Sequence, residues 1–434
     1  MLVSRAPCRD RNVAWCGDQP PGPIVKRYLA MTLGVVTAIG GFLDIGEFVS
    51  LPQAGASFGL ALLPVVVIGT IGAMVYAEMA GRIELASRRT VFDLIRKRLG
   101  LRVGLVALGA AIALNVLTLV AEVGGMAFVA ELVLGRRFLW YVVPLAIALA
   151  LFVWRGSWSW QENLPSVLGL ATLVVPIALL FGGVPVSWHV VARSLVAPSL
   201  PSADHTLLAT AAIAVLGAGM SPYEWYFYSS GAREDGWTRE DQTVNRVTAI
   251  GGFALGSLLS IALLVLAATI FLPAGLNPNH LAQTGLLVGG SFGSWGIAIF
   301  LVGVFGCVLG ASIETSVSSA QTVAEFFGWP WGSSRPAREV PGFTLVYLAA
   351  IFVAALILLA GFDPIKVTIV ALVFSVGALP FTFLPMLIVA NDPASMGDET
   401  NGRLANGLGL VFLALLAVAG IAALPLIVIT GGAI

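Results

Sequence analysis

Charge is what this chain has least of. Of its 434 residues only 11% are Asp, Glu, Lys or Arg, well below the roughly 25% of ordinary soluble domains. The 23 basic residues balance the 23 acidic ones, so there is no net field to attract nucleic acid, and no nucleic-acid partner is expected. Cysteine is scarce as well. Cys8 and Cys16 lie in a polar N-terminal stretch and Cys307 in an apolar run, which is neither a disulfide framework nor a metal-ligand spacing. No nucleophile–base pair and no closed metal motif stand out, so an enzyme is not expected and no resident cofactor is implied. No short apolar core with a small-residue cleavage site follows the first 27 residues. The first span therefore reads as a retained anchor rather than a signal peptide.

What the chain has is hydrophobic length: 58% of residues are hydrophobic and the mean hydropathy is +0.95. A membrane span needs about 20 mostly apolar residues. Apolar windows between charged or Pro/Gly-rich punctuation predict eleven spans, at about 30–56, 59–81, 103–132, 138–154, 165–183, 206–230, 247–272, 291–323, 341–360, 365–390 and 405–430. With the N-terminus inside, the inner segments hold 19 Lys and Arg and the outer loops 4. This places the N-terminal segment 1–29 in the cytoplasm and, with an odd number of spans, the C-terminus outside. The expected location is the plasma (inner) membrane. Trp140, Trp154, Trp158 and Trp160 sit at span ends as interface anchors. The stretch 84–102, basic with interleaved apolar residues, reads as a loop helix lying on the membrane.

Two spans are interrupted. In the first, Gly40, Gly41 and Gly46 surround Asp44 and Glu47; in the sixth, Gly217, Gly219 and Pro222 break the helix at mid-membrane. Broken helices at matching places in two halves point to an inverted-repeat transporter with its site between the breaks. The expected fold is all-α and polytopic, with a first five-span repeat over 30–183, a second over 206–390, and an eleventh span at 405–430. A ring-type channel does not use such breaks.

Six acids fall inside the predicted spans: Asp44, Glu47, Glu78, Glu122, Glu224 and Glu314, with no Lys, Arg or His among them. An uncompensated charge at the centre of a span costs about 2.5–3.5 kcal/mol, so such acids face a cavity, carry protons or meet a cation. Asp44 and Glu47 share a face if the segment is helical, with Gly46 between them free to unwind. In span six, Ser221, Tyr223 and Glu224 add oxygen groups, and the break frees the Ala218 and Gly219 carbonyls. An all-oxygen shell suits Mg, Mn or Ca better than Zn, Cu or Fe. The plainer readings are Glu47 as a first-turn acid on a helix dipole, Glu224 as an acid at a half-helix end facing water, and the tyrosines of PYEWYFY as packing. Glu122 reads as a proton carrier or a hydrogen-bonded packing acid. Glu314 lies in a polar stripe with Ser312, Thr315, Ser316, Ser319 and Gln321, either a water path or helix–helix glue.

The segment Asp44-Ile45-Gly46-Glu47, followed by Gln53-Ala54-Gly55-Ala56-Ser57-Phe58-Gly59, resembles the first span of the NRAMP divalent-metal transporters. VAEVGGMAF around Glu122 is similar to that family's acid-bearing third helix, and Ala218-Gly219-Met220-Ser221-Pro222-Tyr223 lies over its Ala-x-x-Met-Pro-His. The resemblance runs from about 30 to 390. It implies a LeuT-like fold, proton-coupled uptake of divalent metal, and a proton-pathway role for Glu122. The departures fall at the site: the family's metal-binding Asn is Glu47, its Met is Ser221, its span-six histidines are Tyr223 and Tyr228, and a span-ten Gln is Leu372. Asp44 and the Ala218 carbonyl remain. Without the thioether the preference moves toward harder ions, and without the histidines Asp44, Glu47, Glu122 and Glu224 are left to move protons. The expectation is an importer of Mg or Mn, with Asp44 also serving the proton relay and Gly46, Tyr223 and Glu314 lining the substrate. The other reading keeps the fold and carries an organic cation or amino-acid-like solute, with PYEWYFY facing the amine.

Overall fold

The computed structural model describes residues 43–199, 204–278 and 281–431. The N-terminal segment, Cys8, Cys16, Gly40, Gly41 and the first part of span 1 lie outside the described residues. Among the described residues there is no strand, and nine helices are long and apolar enough to cross a membrane. The shorter Leu139–Arg155 and the half-helix Ile45–Phe58 complete the eleven spans expected. Large apolar side chains such as Trp140, Phe181, Ile421 and Val428 stand exposed, as they must where hydrocarbon is the solvent and each helix satisfies its own backbone.

Close helix packing rests on small residues. Span 8 packs on spans 3 and 5, the half-helix Ile45–Phe58 on span 7, and span 10 on spans 3, 6 and 11. A Cβ on Gly55 would lie 2.5 Å from the Leu264 carbonyl oxygen of span 7, and one on Gly306 2.5 Å from the Gly169 nitrogen of span 5. In both places a side chain would push backbones apart.

Several boundaries differ from the sequence expectation. Span 2 runs from Leu63 to Ser87 rather than ending at 81, and span 5 starts at Trp158 rather than 165, passing through a 3-10 turn at Leu170–Leu173. The helix Leu281–Phe327 bends at Gly293 (φ 62°, ψ −152°), so a separate helical segment precedes span 8. Glycine adopts that backbone without a Cβ clash, and it sits in a Gly/Ser-rich run, Gly289-Gly290-Ser291-Phe292-Gly293-Ser294, beside the expected start of span 8 at 291.

The basic stretch also differs. Residues 91–99 form a helix that Gly100 (φ 84°) sets apart from span 3. Its Val91, Phe92, Leu94 and Ile95 are buried, and Phe92 packs edge-on against Tyr226 and Phe326. Lys97 pairs with Asp93 at 2.7 Å and Arg98 with Asp392 at 2.7 Å. The apolar face is covered by protein rather than by lipid.

Candidate cation site at the two helix breaks

The half-helix Ile45–Phe58 begins with Asp44 as its N-cap: Oδ1 accepts the Gly46 N–H at 2.7 Å, in extended backbone (φ −105°, ψ 175°). A carboxylate suits this place because the first N–H groups of a helix have no internal acceptor and the dipole favours negative charge. The Ile45 N–H, also outside the helical ladder, donates to Glu122 Oε1 of span 3 at 3.2 Å. Two carboxylates thus meet one helix end. The shared helical face expected for Asp44 and Glu47 is not formed, because Asp44 stays outside the helix. Glu47, in its first turn, turns to span 7, where Ser260 Oγ donates to its Oε1 at 2.7 Å.

Span 6 breaks where expected. Its first half, His205–Ala218, ends at Gly219, and Pro222 opens the second half, Pro222–Glu234. Proline fits the first position because it has no N–H to leave unpaired. Ser221 is the cap residue, yet its hydroxyl makes no capping bond. The Met220 carbonyl accepts from Ser375 Oγ of span 10 at 3.3 Å. Among the described residues no donor reaches the Ala218 or Gly219 carbonyl oxygen. Leu372 of span 10 lies between the breaks: its Cδ2 would be 2.7 Å from a Cβ on Gly46, and its carbonyl oxygen would collide with one on Gly217.

Asp44, Glu47, Glu122, Ser221, Tyr223 and Glu224 are all buried. Asp44 lies within electrostatic range of Glu47, Glu122, Tyr223 and Glu224, and Glu314 within range of Glu122 and Glu224. Glu47, Glu122, Glu224 and Glu314 each keep Oε2 buried without a hydrogen-bond partner, as does the Tyr223 hydroxyl. Such atoms are rare in native proteins and mark places where an ion, a proton or a water belongs. Among the described residues, no three acids, histidines or cysteines converge into a ready-made ion cage.

Glu78 does not belong to this group. Because span 2 continues to Ser87, it includes the buried Arg82, whose Nε lies 3.1 Å from Glu78, while Arg246 lies 3.6 Å away. Glu78 is an ion-paired acid near one end of the bundle. Arg82 also donates to the Glu399 carbonyl at 2.7 Å and to Asn401 Oδ1 at 2.6 Å, tying span 2 to the segment before span 11.

The polar stripe around Glu314 divides. Ser312, Ser316 and Ser319 donate back to carbonyls of their own helix, and Asn115 reaches Ser319 at 3.0 Å, which is packing glue. Thr315 and Gln321 keep buried, unpartnered atoms. Most aromatic faces of PYEWYFY are taken: Trp225 packs on Phe253 and Phe383, the Tyr226 hydroxyl reaches Thr382, and the Tyr228 hydroxyl donates to Asn245. Tyr223 alone of these aromatics has neither a ring contact nor a hydroxyl partner among the described residues.

Three contacts were not anticipated: Ser260 on Glu47, Ser375 on Met220, and Ser318 on the Tyr223 carbonyl at 3.3 Å. A lone hydroxyl in an apolar span looks the same whether it serves a site or a helix contact. Ser260→Ala frees Glu47 from the hydrogen bond across to span 7, worth about 1.5–3 kcal/mol to a charged group. The expected outcome is a several-fold change in the apparent Kd for the transported cation, read by calorimetric titration, with the fold intact.

A family model described as natural resistance-associated macrophage protein-like matches residues 34–425. A divalent metal cation transporter MntH of Acidiphilium cryptum is 25% identical over 410 residues, covering 91% of this chain and 90% of that one. MntH of Erwinia tasmaniensis is 26% identical over 408 residues, covering 91% and 94%. The crystal structure of an Eremococcus coleocola manganese transporter superposes with a TM-score of 0.76 at 18% identity, covering 95% of this chain and 90% of that one. The shared architecture is the LeuT-like fold that the family resemblance implied, and the curated relatives are transporters rather than enzymes. With the family model matching residues 34–425 of the 434, the chain belongs to the NRAMP family of divalent metal transporters.

Proposed function

We propose that this protein imports a hard divalent cation, Mg or Mn, by alternating access. The observation that carries the reading is the group of buried acids at the starts of Ile45–Phe58 and Pro222–Glu234, with free carboxylate oxygens on Glu47, Glu122 and Glu224 and, among the described residues, no Lys, Arg or His bonded to them. Asp44 coordinates the ion directly, with Glu47, Glu224, the Ser221 hydroxyl and the Ala218 carbonyl completing an all-oxygen shell. Gly46, Tyr223 and Glu314 line it. Hard oxygen ligands without a thioether favour Mg and Mn over softer ions. Access alternates as the bundle holding the two broken helices rocks against the remaining helices of the repeats 30–183 and 206–390, with 405–430 outside them. The N-terminus is cytoplasmic and the C-terminus outside, by the positive-inside count.

Glu122 and Asp44 carry the proton relay, since both accept from the same helix end. Proteoliposomes loaded with a divalent-sensitive dye test the reading. Mg or Mn flux that exceeds Cd flux and disappears in Asp44→Ala is expected. Absence of flux for Mg, Mn, Ca and Cd alike, with Asp44→Ala indistinguishable from the unmodified protein, overturns it. For the relay, Glu122→Gln is expected to retain cation flux but lose the accompanying internal acidification.

A further inference from the structure

We propose that a groove where spans 4 and 5 meet binds an anionic phospholipid. The groove, about 710 Å³, is lined by Ala148, Leu151, Phe152, Arg155, Ser157 and Trp160. Leu151 is 43% exposed and Trp160 60%, so the groove opens on the lipid-facing side. Its wall changes character along its length. Ala148, Leu151 and Phe152 offer an apolar track one turn long, suited to an acyl chain, and Arg155, Gly156 and Ser157 form a polar head at the end of the span.

Three donors at that head face an anion. Arg155 makes no ion pair among the described residues, and its guanidinium lies 5.4 Å from the Trp154 ring centroid, within cation–π range, with a fork of donors suited to a phosphate. The carbonyls closing span 4 have other donors: Gly156 N–H on Phe152 at 2.7 Å, and Gln161 Nε2 on Val153 at 3.0 Å and Gly156 at 2.9 Å. Ser157 is the N-cap of the helix Trp158–Gly169, but its hydroxyl makes no capping bond. That helix therefore presents an uncapped N-terminus, a natural phosphate site, beside a free hydroxyl and an arginine. Trp158 fixes the corner by donating to Asp235 Oδ1 at 3.0 Å. The corner lies at the Arg-rich end of the bundle, where interfacial arginines and tryptophans meet headgroups. The arginine-bearing helix 91–99 is different, since Lys97 and Arg98 are already neutralised by Asp93 and Asp392.

The test is native mass spectrometry of the full chain in detergent, titrated with phosphatidylglycerol or phosphatidylcholine. Phosphatidylglycerol is expected to bind at least several-fold more tightly. Arg155→Gln is expected to weaken it about tenfold, the effect of one charge-assisted hydrogen bond. Ser157→Asp, which keeps a helix cap but sets a like charge against the phosphate, is expected to abolish the preference. Trp160→Ala is expected to weaken both lipids alike. Arg102→Gln, an exposed arginine away from the groove, is the control. Equal binding of the two lipids overturns the proposal, as does equal weakening by Arg102→Gln and Arg155→Gln, which is diffuse surface charge. Glycerol phosphate without acyl chains competing as well as the lipid also overturns it.

Discussion

Asp44→Asn is expected to abolish cation uptake while leaving the fold in place. Asparagine caps a helix about as well as aspartate, so the hydrogen bond from Gly46 N–H and the start of the half-helix survive. What disappears is the negative charge in the middle of the buried oxygen groups. A charge-assisted contact is worth about 3 kcal/mol, so uptake is expected to fall by a factor on the order of 100. Thermal unfolding in detergent should move little. Asp44→Ala is the contrast, because it also removes the cap, worth about 0.5–2 kcal/mol, and should lower Tm as well as uptake. Isotope uptake and a melting curve on the same preparations separate the two effects. Uptake by Asp44→Asn at the unmodified rate would remove Asp44 from the site.

The second large effect is steric. Gly217 lies where the first half of span 6 presses on span 10, and a side chain there meets the Leu372 carbonyl oxygen and, at 3.2 Å, Val376 Cγ2. Backbone oxygen cannot rotate away, so Gly217→Val must separate the two helices. Overpacking of this kind costs about 1–3 kcal/mol, and more where backbone is the obstacle. Because the contact is beside the break, the Ala218 carbonyl and the Ser375–Met220 bond move with it. Both a lower Tm and a loss of uptake are expected. Gly46→Ala behaves differently: its added Cβ lies 2.7 Å from the Leu372 side chain and from Asp44 Oδ1. Trimming Leu372 to Ala relieves part of that clash, and it should restore stability to Gly46→Ala but not to Gly217→Val. Size-exclusion profiles of the four variants on a temperature ramp check this.

Periodicity and punctuation made much of the fold legible. Spans bounded by charges, such as the tenth and eleventh, begin within two residues of the expected positions, because a charge at a membrane end has a strong solvation preference. The sixth-span break was readable because Gly219 and Pro222 both oppose a continuous helix. The bend at Gly293 was legible only as a span start near 291, since the run 289–294 reads as the end of a span rather than as a kink inside one helix that begins at Leu281. The acids were legible as a set but not as individuals. Glu78 looked like Glu122 in sequence, and only the third dimension brings Arg82 and Arg246 to one and a bare helix end to the other. Ser260 and Ser375 were invisible for the same reason: their partners lie 213 and 155 residues away.

The start of the half-helix Ile45–Phe58 is held as if by two hands. Asp44 takes the Gly46 N–H and Glu122 takes the Ile45 N–H, so both carboxylates anchor the chain, and under the proposed function the same two groups receive positive charge. A cation or proton that draws an oxygen from either must loosen that grip on the helix. On that proposal loading and loosening are one physical event, and the helix start needs no messenger to learn that the site is filled.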